Sequence, residues 1–89
     1  MKNTLNLLEK VISFLLENKI KHNHTKFSSG IVILDVWYNE KFYVFHFESN
    51  HIGISEVDNN VAFDSKADKI IEDEKLFENE LISIFKPIY

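Results

Sequence analysis

Residues 31–55 read IVILDVWYNEKFYVFHFESNHIGIS, and the alternation along this stretch decides the fold. Apolar side chains recur at every second position, the period of a strand rather than of a helix. If Asn39-Glu40 is a two-residue turn, Val36 faces Tyr43, Leu34 faces Phe45 and Val32 faces Phe47. If Ser49-Asn50 is the next turn, Phe47 faces Ile52 and Phe45 faces Ile54. Both turns put one set on one face: Val32, Leu34, Val36, Tyr43, Phe45, Phe47, Ile52 and Ile54. A slip of one residue would carry a whole strand's set to the other side. Agreement between two independent turns therefore predicts a three-stranded antiparallel meander. Neither turn has the favoured Asn-Gly pair, so either loop has room to be longer by a residue.

The opposite face carries Ile31, Ile33, Asp35, Trp37, Phe42, Val44, His46 and Ser55. A sheet packed on one side ordinarily turns polar residues to water on the other. Trp37, Phe42, Ile33 and Val44 depart from that pattern. This face is expected to be covered by the chain's own helices or a homodimer mate, or else to meet a partner protein.

On either side of the meander the period changes to that of a helix. Residues 4–22 place Leu5, Leu8, Val11, Ile12, Leu15, Leu16 and Ile20 on one stripe, with Asn3 or Thr4 as cap and Lys19, Lys21 and His22 at the negative end. His22-Asn23-His24-Thr25 breaks the stripe and reads as a loop. Residues 57–69 are polar, with a turn at Asp58-Asn59-Asn60, and Ile70-Ile71 reads as either a short edge strand or an apolar anchor. Asp73 then caps a helix over 74–85, with Phe77, Leu81, Ile84 and Phe85 inward and Pro87 as its stop. The expected fold is α+β in a single domain: N-terminal helix, three-stranded antiparallel meander, acidic loop with an optional short edge strand, C-terminal helix.

Eighty-nine residues allow one core, stocked here by eight Phe, three Tyr and one Trp. A chain of this size is stable by only about 5–10 kcal/mol. With no cysteine there is neither a disulfide framework nor a thiolate zinc site. No run approaches the ~20 apolar residues of a membrane span, and the N-terminal stretch lacks a signal peptide's pattern, so a cytoplasmic protein is expected. All ten basic residues are lysine. Without arginine's planar fork for phosphate and guanine, direct nucleic-acid readout is disfavoured.

The residue types that carry chemistry do not gather into a site. His22 and His24 form a His-x-His pair, but zinc wants three or four convergent ligands and the spacing offers no third. They read as solvated loop residues. His46 shares a face with Asp35 and Trp37, where a structural or interface role outweighs that of a general base. The carboxylate pairs, Glu56 with Asp58, Asp64 with Asp68, and Glu72-Asp73-Glu74, sit in loops or on helix faces. None is placed to have the raised pKa that acid–base work needs. Gly30 and Gly53 are the only glycines, which excludes a phosphate-cradling loop, and Ser28 and Ser29 have no nearby base. Asp58-Asn59-Asn60 lacks the alternating acids and glycine hinge of a calcium loop. No catalytic, cofactor or metal site is expected, and no enzyme.

Charge is the remaining signal. Between Glu48 and Glu80 lie ten carboxylates and three lysines, a net −7, whereas residues 1–27 hold five lysines and two glutamates. An acidic half recruits basic surfaces and speeds encounter with them. The expected contacts are Glu56, Asp58, Asp64, Asp68, Glu72, Asp73, Glu74 and Glu78. Trp37, Tyr38 and Phe42 are the expected aromatic anchors, since interface hot spots favour Trp and Tyr.

The Tyr/Phe-rich strand Lys41-Phe42-Tyr43-Val44-Phe45-His46-Phe47-Glu48 is followed by Ile52-Gly53-Ile54-Ser55-Glu56-Val57, Phe63-Asp64, and the acid-led helix from Glu72-Asp73-Glu74-Lys75-Leu76-Phe77 to Ile84-Phe85. This rhythm, over roughly residues 30–86, resembles bacterial immunity proteins of contact-dependent growth-inhibition and related polymorphic toxin systems. The resemblance implies a small cytosolic protein without chemistry of its own. It would bind the C-terminal domain of a cognate toxin, often a nuclease, and block its active site or substrate groove. Each such pair has its own interface, so the contact residues rest on charge and exposure alone. A phage-encoded, anti-CRISPR-like inhibitor that mimics nucleic acid is the alternative, and a homo-oligomeric module using the Trp37/Phe42 face is a third. Neither a cofactor nor a membrane is implied, and both monomer and homodimer stay open.

Overall fold

Two hairpins in fixed register organise the structure, a computed structural model that describes residues 4–57 and 69–86. The chain runs α1 (Thr4–Glu17), β1 (Lys21–Lys26), β2 (Val32–Tyr38), β3 (Lys41–Phe47), β4 (Ile52–Val57), β5 (Lys69–Ile71) and α2 (Glu74–Ile84). The five strands form one antiparallel meander in sequence order. Val32 pairs with Phe47, Leu34 with Phe45 and Val36 with Tyr43, then Phe47 with Ile52 and Phe45 with Ile54. Both expected registers hold, and all eight expected side chains are buried on one face.

The β2–β3 turn is the two-residue one, with Asn39 at φ 53° and Glu40 at φ 64°. Positive φ at both centres is the type I′ geometry that matches the twist of the flanking strands. Asn tolerates it; Glu is there against its steric preference, where glycine would be at ease.

Both helices pack on the face the register creates. From α1 come Leu7, Leu8, Val11 and Leu15, and from α2 Phe77 and Leu81, with Phe85 at its C-cap. Phe77 stands edge-on to Phe45 and Phe47 at centroid distances of 6.3 and 5.9 Å, which ties α2 to the middle of the sheet. Such edge-to-face pairs add about 0.5–1.5 kcal/mol beyond the area they bury. Asp73 caps α2 as expected, its carboxylate accepting from the Lys75 N–H at 2.7 Å. Ile70-Ile71 belongs to an edge strand, with Ile71 buried and Ile70 exposed. The expected stop at Pro87 and the turn at Asp58 lie outside the described residues.

Three sequence expectations need correction. The helix over 4–22 ends at Glu17. Its C-terminus closes with the Ile20 N–H on the Leu15 carbonyl (2.9 Å) and the Lys19 N–H on the Leu16 carbonyl (3.2 Å), Lys19 taking φ 56°. This is the Schellman arrangement, in which the residue after the left-handed position tucks in, and Ile20 is accordingly buried. The buried stripe runs through Leu7, Leu8, Val11 and Leu15, while Leu5 and Leu16 are exposed. Residues 21–26 are then not a loop but strand β1, paired along its length with β2. The stretch has no apolar alternation because it is a polar edge strand, and lysines on an edge discourage further pairing. The β1–β2 connection is a tight loop in which the Gly30 N–H reaches the Phe27 carbonyl (2.9 Å) and Gly30 takes φ 95°.

Glu40→Gly is expected to raise stability by about 0.5–1 kcal/mol, because the left-handed penalty outweighs glycine's extra unfolded-state entropy. Phe45→Ala, at the centre of the buried face, is expected to cost about 3–5 kcal/mol. Chemical denaturation of the two variants checks both; a surface-like cost at Phe45 would contradict the register.

Candidate functional site

The outer face of the sheet is built from three cross-strand rows. Lys21, Trp37 and Phe42 form one; Asn23, Asp35, Val44 and Ser55 the next; Thr25, Ile33, His46, Gly53 and Ile70 the last. Among the described residues, the core side chains of both helices lie on the inner face and none on this one. The sheet therefore offers a half-exposed apolar surface of Ile33, Val44, Trp37 and Phe42.

Its best-defined feature is aromatic. Trp37 and Phe42 face each other directly across β2 and β3, and their rings stack at 5.0 Å with 23° between planes. Trp37 remains 38% exposed. On its other side the Lys21 Nζ sits 5.0 Å from the ring centroid, a cation–π contact worth about 0.5–1 kcal/mol at such a site. The row is thus prearranged within the chain, and such preorganisation lowers the entropy cost of any contact made through it. Lys21 could not be foreseen here without β1.

Tyr38 belongs elsewhere. It ends β2 on the inner face, packs on Phe85 at 5.2 Å and donates its hydroxyl to the Lys86 carbonyl at 3.0 Å. Its contacts hold α2 to the sheet, so of the three expected anchors the structure brings only Trp37 and Phe42 together.

Among the described residues, the acids do not converge either. Glu56 is on the inner side of β4 and pairs with Lys41 at 3.1 Å. Glu78 pairs with Lys10 of α1, and Glu80, on the other flank of α2, with Lys69 of β5 at 3.0 Å. Glu48 contacts His51 at 2.7 Å within the β3–β4 turn. Glu72, Asp73 and Glu74 remain as an exposed group at the start of α2, with Asp73 engaged in its cap. Asp58, Asp64 and Asp68 lie outside the described residues. The negative patch in hand is therefore the α2 start. It follows Ile71, which pairs with Ile52, whereas the aromatic row is at the Val57 end of β4, about 17 Å away along the strand.

Asp35, His46 and Ser55 sit diagonally on β2, β3 and β4, a Ser/His/Asp set in composition. No hydrogen bond or ion pair links them among the described residues, so no proton relay is formed. Partial burial pushes the Asp35 carboxyl above its ordinary 3.8, and the charge of His46 draws it partly back. On the inner face, burial and then Glu56 push the Tyr43 phenol up, against Lys41. Among the described residues no three His, Asp or Glu side chains gather to hold a metal, and no helix is long and apolar enough to cross a membrane. A cleft of about 650 Å³ beside the start of α1 has, among the described residues, Glu48 as its one charged lining residue, and a notch of about 260 Å³ holds the Lys41–Glu56 and Lys69–Glu80 pairs.

Compared with protein-family models, curated proteins and solved structures, the chain matches none.

The raised Asp35 carboxyl fixes the sign of a pH effect. The native state holds this proton more tightly than the unfolded chain, so the contribution is fully present below 3.8 and is lost as pH rises through the raised native value. Asp35→Asn is expected to be more stable than the native protein at pH 7, with the gap closing near pH 3. Denaturation midpoints at the two pH values check this, and an equal gap at both would contradict it.

Proposed function

We propose that the chain is an immunity protein, a cytoplasmic binding partner that neutralises the C-terminal domain of a cognate toxin by occluding its active site or substrate groove. The observation that carries the reading is the Trp37–Phe42 stack on a sheet face that neither helix occupies. Paired aromatics already held in place are what interface hot spots are made of, and a monomer gains nothing from leaving them wet. The rhythm of residues 30–86, which resembles that of immunity proteins, supplies the class of partner.

Charge refines the division of labour. Glu56, Glu78 and Glu80 are already neutralised by lysines and add little at a distance. Glu72 and Glu74 are the acids in position to steer a basic nuclease domain, while the aromatic row supplies affinity. A partner that touches both spans the length of the sheet.

The test looks for a gene adjacent to this one that encodes a toxin, takes its C-terminal domain as the candidate partner, and follows binding by stopped-flow. Trp37→Ala is expected to raise Kd about 30-fold through a faster off-rate, the ~2 kcal/mol of a hot spot, with the fold intact. Glu72→Lys with Glu74→Lys is expected to slow association at low salt and to matter little at high salt. An unchanged Kd for Trp37→Ala would remove this face from the interface. Failure of the native chain to bind or protect against that domain would overturn the immunity reading. A stable dimer in light scattering that buries Trp37 would reassign the face to self-association.

A further inference from the structure

We infer that His22 and His24 form a two-imidazole site for a divalent transition-metal ion on the exposed edge strand β1. As loop residues they would share no face. As strand residues two apart they point to the same side of the sheet, the inner side that their cross-strand partners Val36 and Leu34 share, with Cα atoms about 6.7 Å apart. That spacing lets two imidazoles close on one ion.

A second observation concerns the nitrogen each ring has to offer. The Nδ1 of His22 lies 2.8 Å from the Ile20 carbonyl oxygen. A carbonyl only accepts, so Nδ1 carries the proton and, in the neutral ring, Nε2 keeps its lone pair. A backbone carbonyl behind one nitrogen is how a ligating histidine is commonly oriented. His24 is exposed, and β1 is the outermost strand, so water has room to complete the coordination sphere. Lys21, the nearest cation before the pair, is drawn to the other face over Trp37. Lys26 is the cation that shares their side.

Two nitrogen donors plus water suit Cu²⁺ and, more weakly, Ni²⁺, which accept imidazole in tetragonal geometry; structural zinc asks for four protein ligands. The other histidines provide internal controls. His46 is on the outer face, and His51 is engaged with Glu48 and Asn50 at 2.7 and 2.8 Å.

The experiment titrates Cu²⁺ alone into the full chain at neutral pH, read by electron paramagnetic resonance and by site-resolved NMR broadening. The expected result is one ion per chain, with broadening centred on β1. His24→Ala and the milder His24→Gln should each weaken binding about tenfold or more, since a chelate becomes a single contact. His51→Ala should leave the affinity unchanged, and thermal unfolding verifies that each variant is folded. Equal affinity in the native and His24 variants, broadening centred on His46 or His51, or no imidazole coordination in the native chain would each overturn the assignment.

Discussion

The pairing of β2 with β3 is the constraint on which the rest depends. Because side chains alternate, one register sorts every residue of these strands between two faces, and its neighbour in the next hairpin must agree with it. With Leu34 opposite Phe45 and Phe45 opposite Ile54, the inner face becomes a continuous apolar floor. Both helices answer it with leucines and phenylalanines, and Phe77 locks edge-on against two rings of β3. The same register forces Trp37 and Phe42 together on the other side. Core and candidate interface are thus two consequences of one alternation.

Local geometry bends to that constraint where the two conflict. Glu40 and Lys19 both adopt positive φ without being glycine. One closes the hairpin and the other turns α1 directly into β1, and in each case tertiary burial nearby outweighs a local cost of about 1–2 kcal/mol. Ile20 shows the exchange plainly, since the left-handed Lys19 is what brings it into the core.

The meander was legible in the sequence because its strands alternate strongly and two turns constrain them independently. Strand β1 was not, because His22-Asn23-His24-Thr25 has no apolar partner pattern; it is held by the β2 backbone, and backbone pairing leaves no side-chain signature. The same gap hid Lys21 from the aromatic row and a common face from His22 and His24. The α1 stripe was only partly legible, because a leucine-rich helix admits several phases and Leu7, not Leu5 or Leu16, faces the core. Among the described residues, acidity along the chain did not translate into one acidic face, because Lys10, Lys41 and Lys69 pair with Glu78, Glu56 and Glu80. Tyr38 looked like an anchor beside Trp37, yet neighbours on a strand point to opposite faces, and its hydroxyl is taken by Lys86.

A sheet with one face holding the fold and the other carrying the Trp37–Phe42 stack gives Trp37, the single tryptophan of the chain, a defined environment. Acrylamide quenching of its fluorescence, in the dilute chain alone and again with the proposed toxin partner added, reads that environment without altering a residue. The expected result is efficient quenching in the free chain and strong protection in the complex. A tryptophan already shielded in the free monomer, or one as accessible in the complex as out of it, would contradict a recognition role for the outer face.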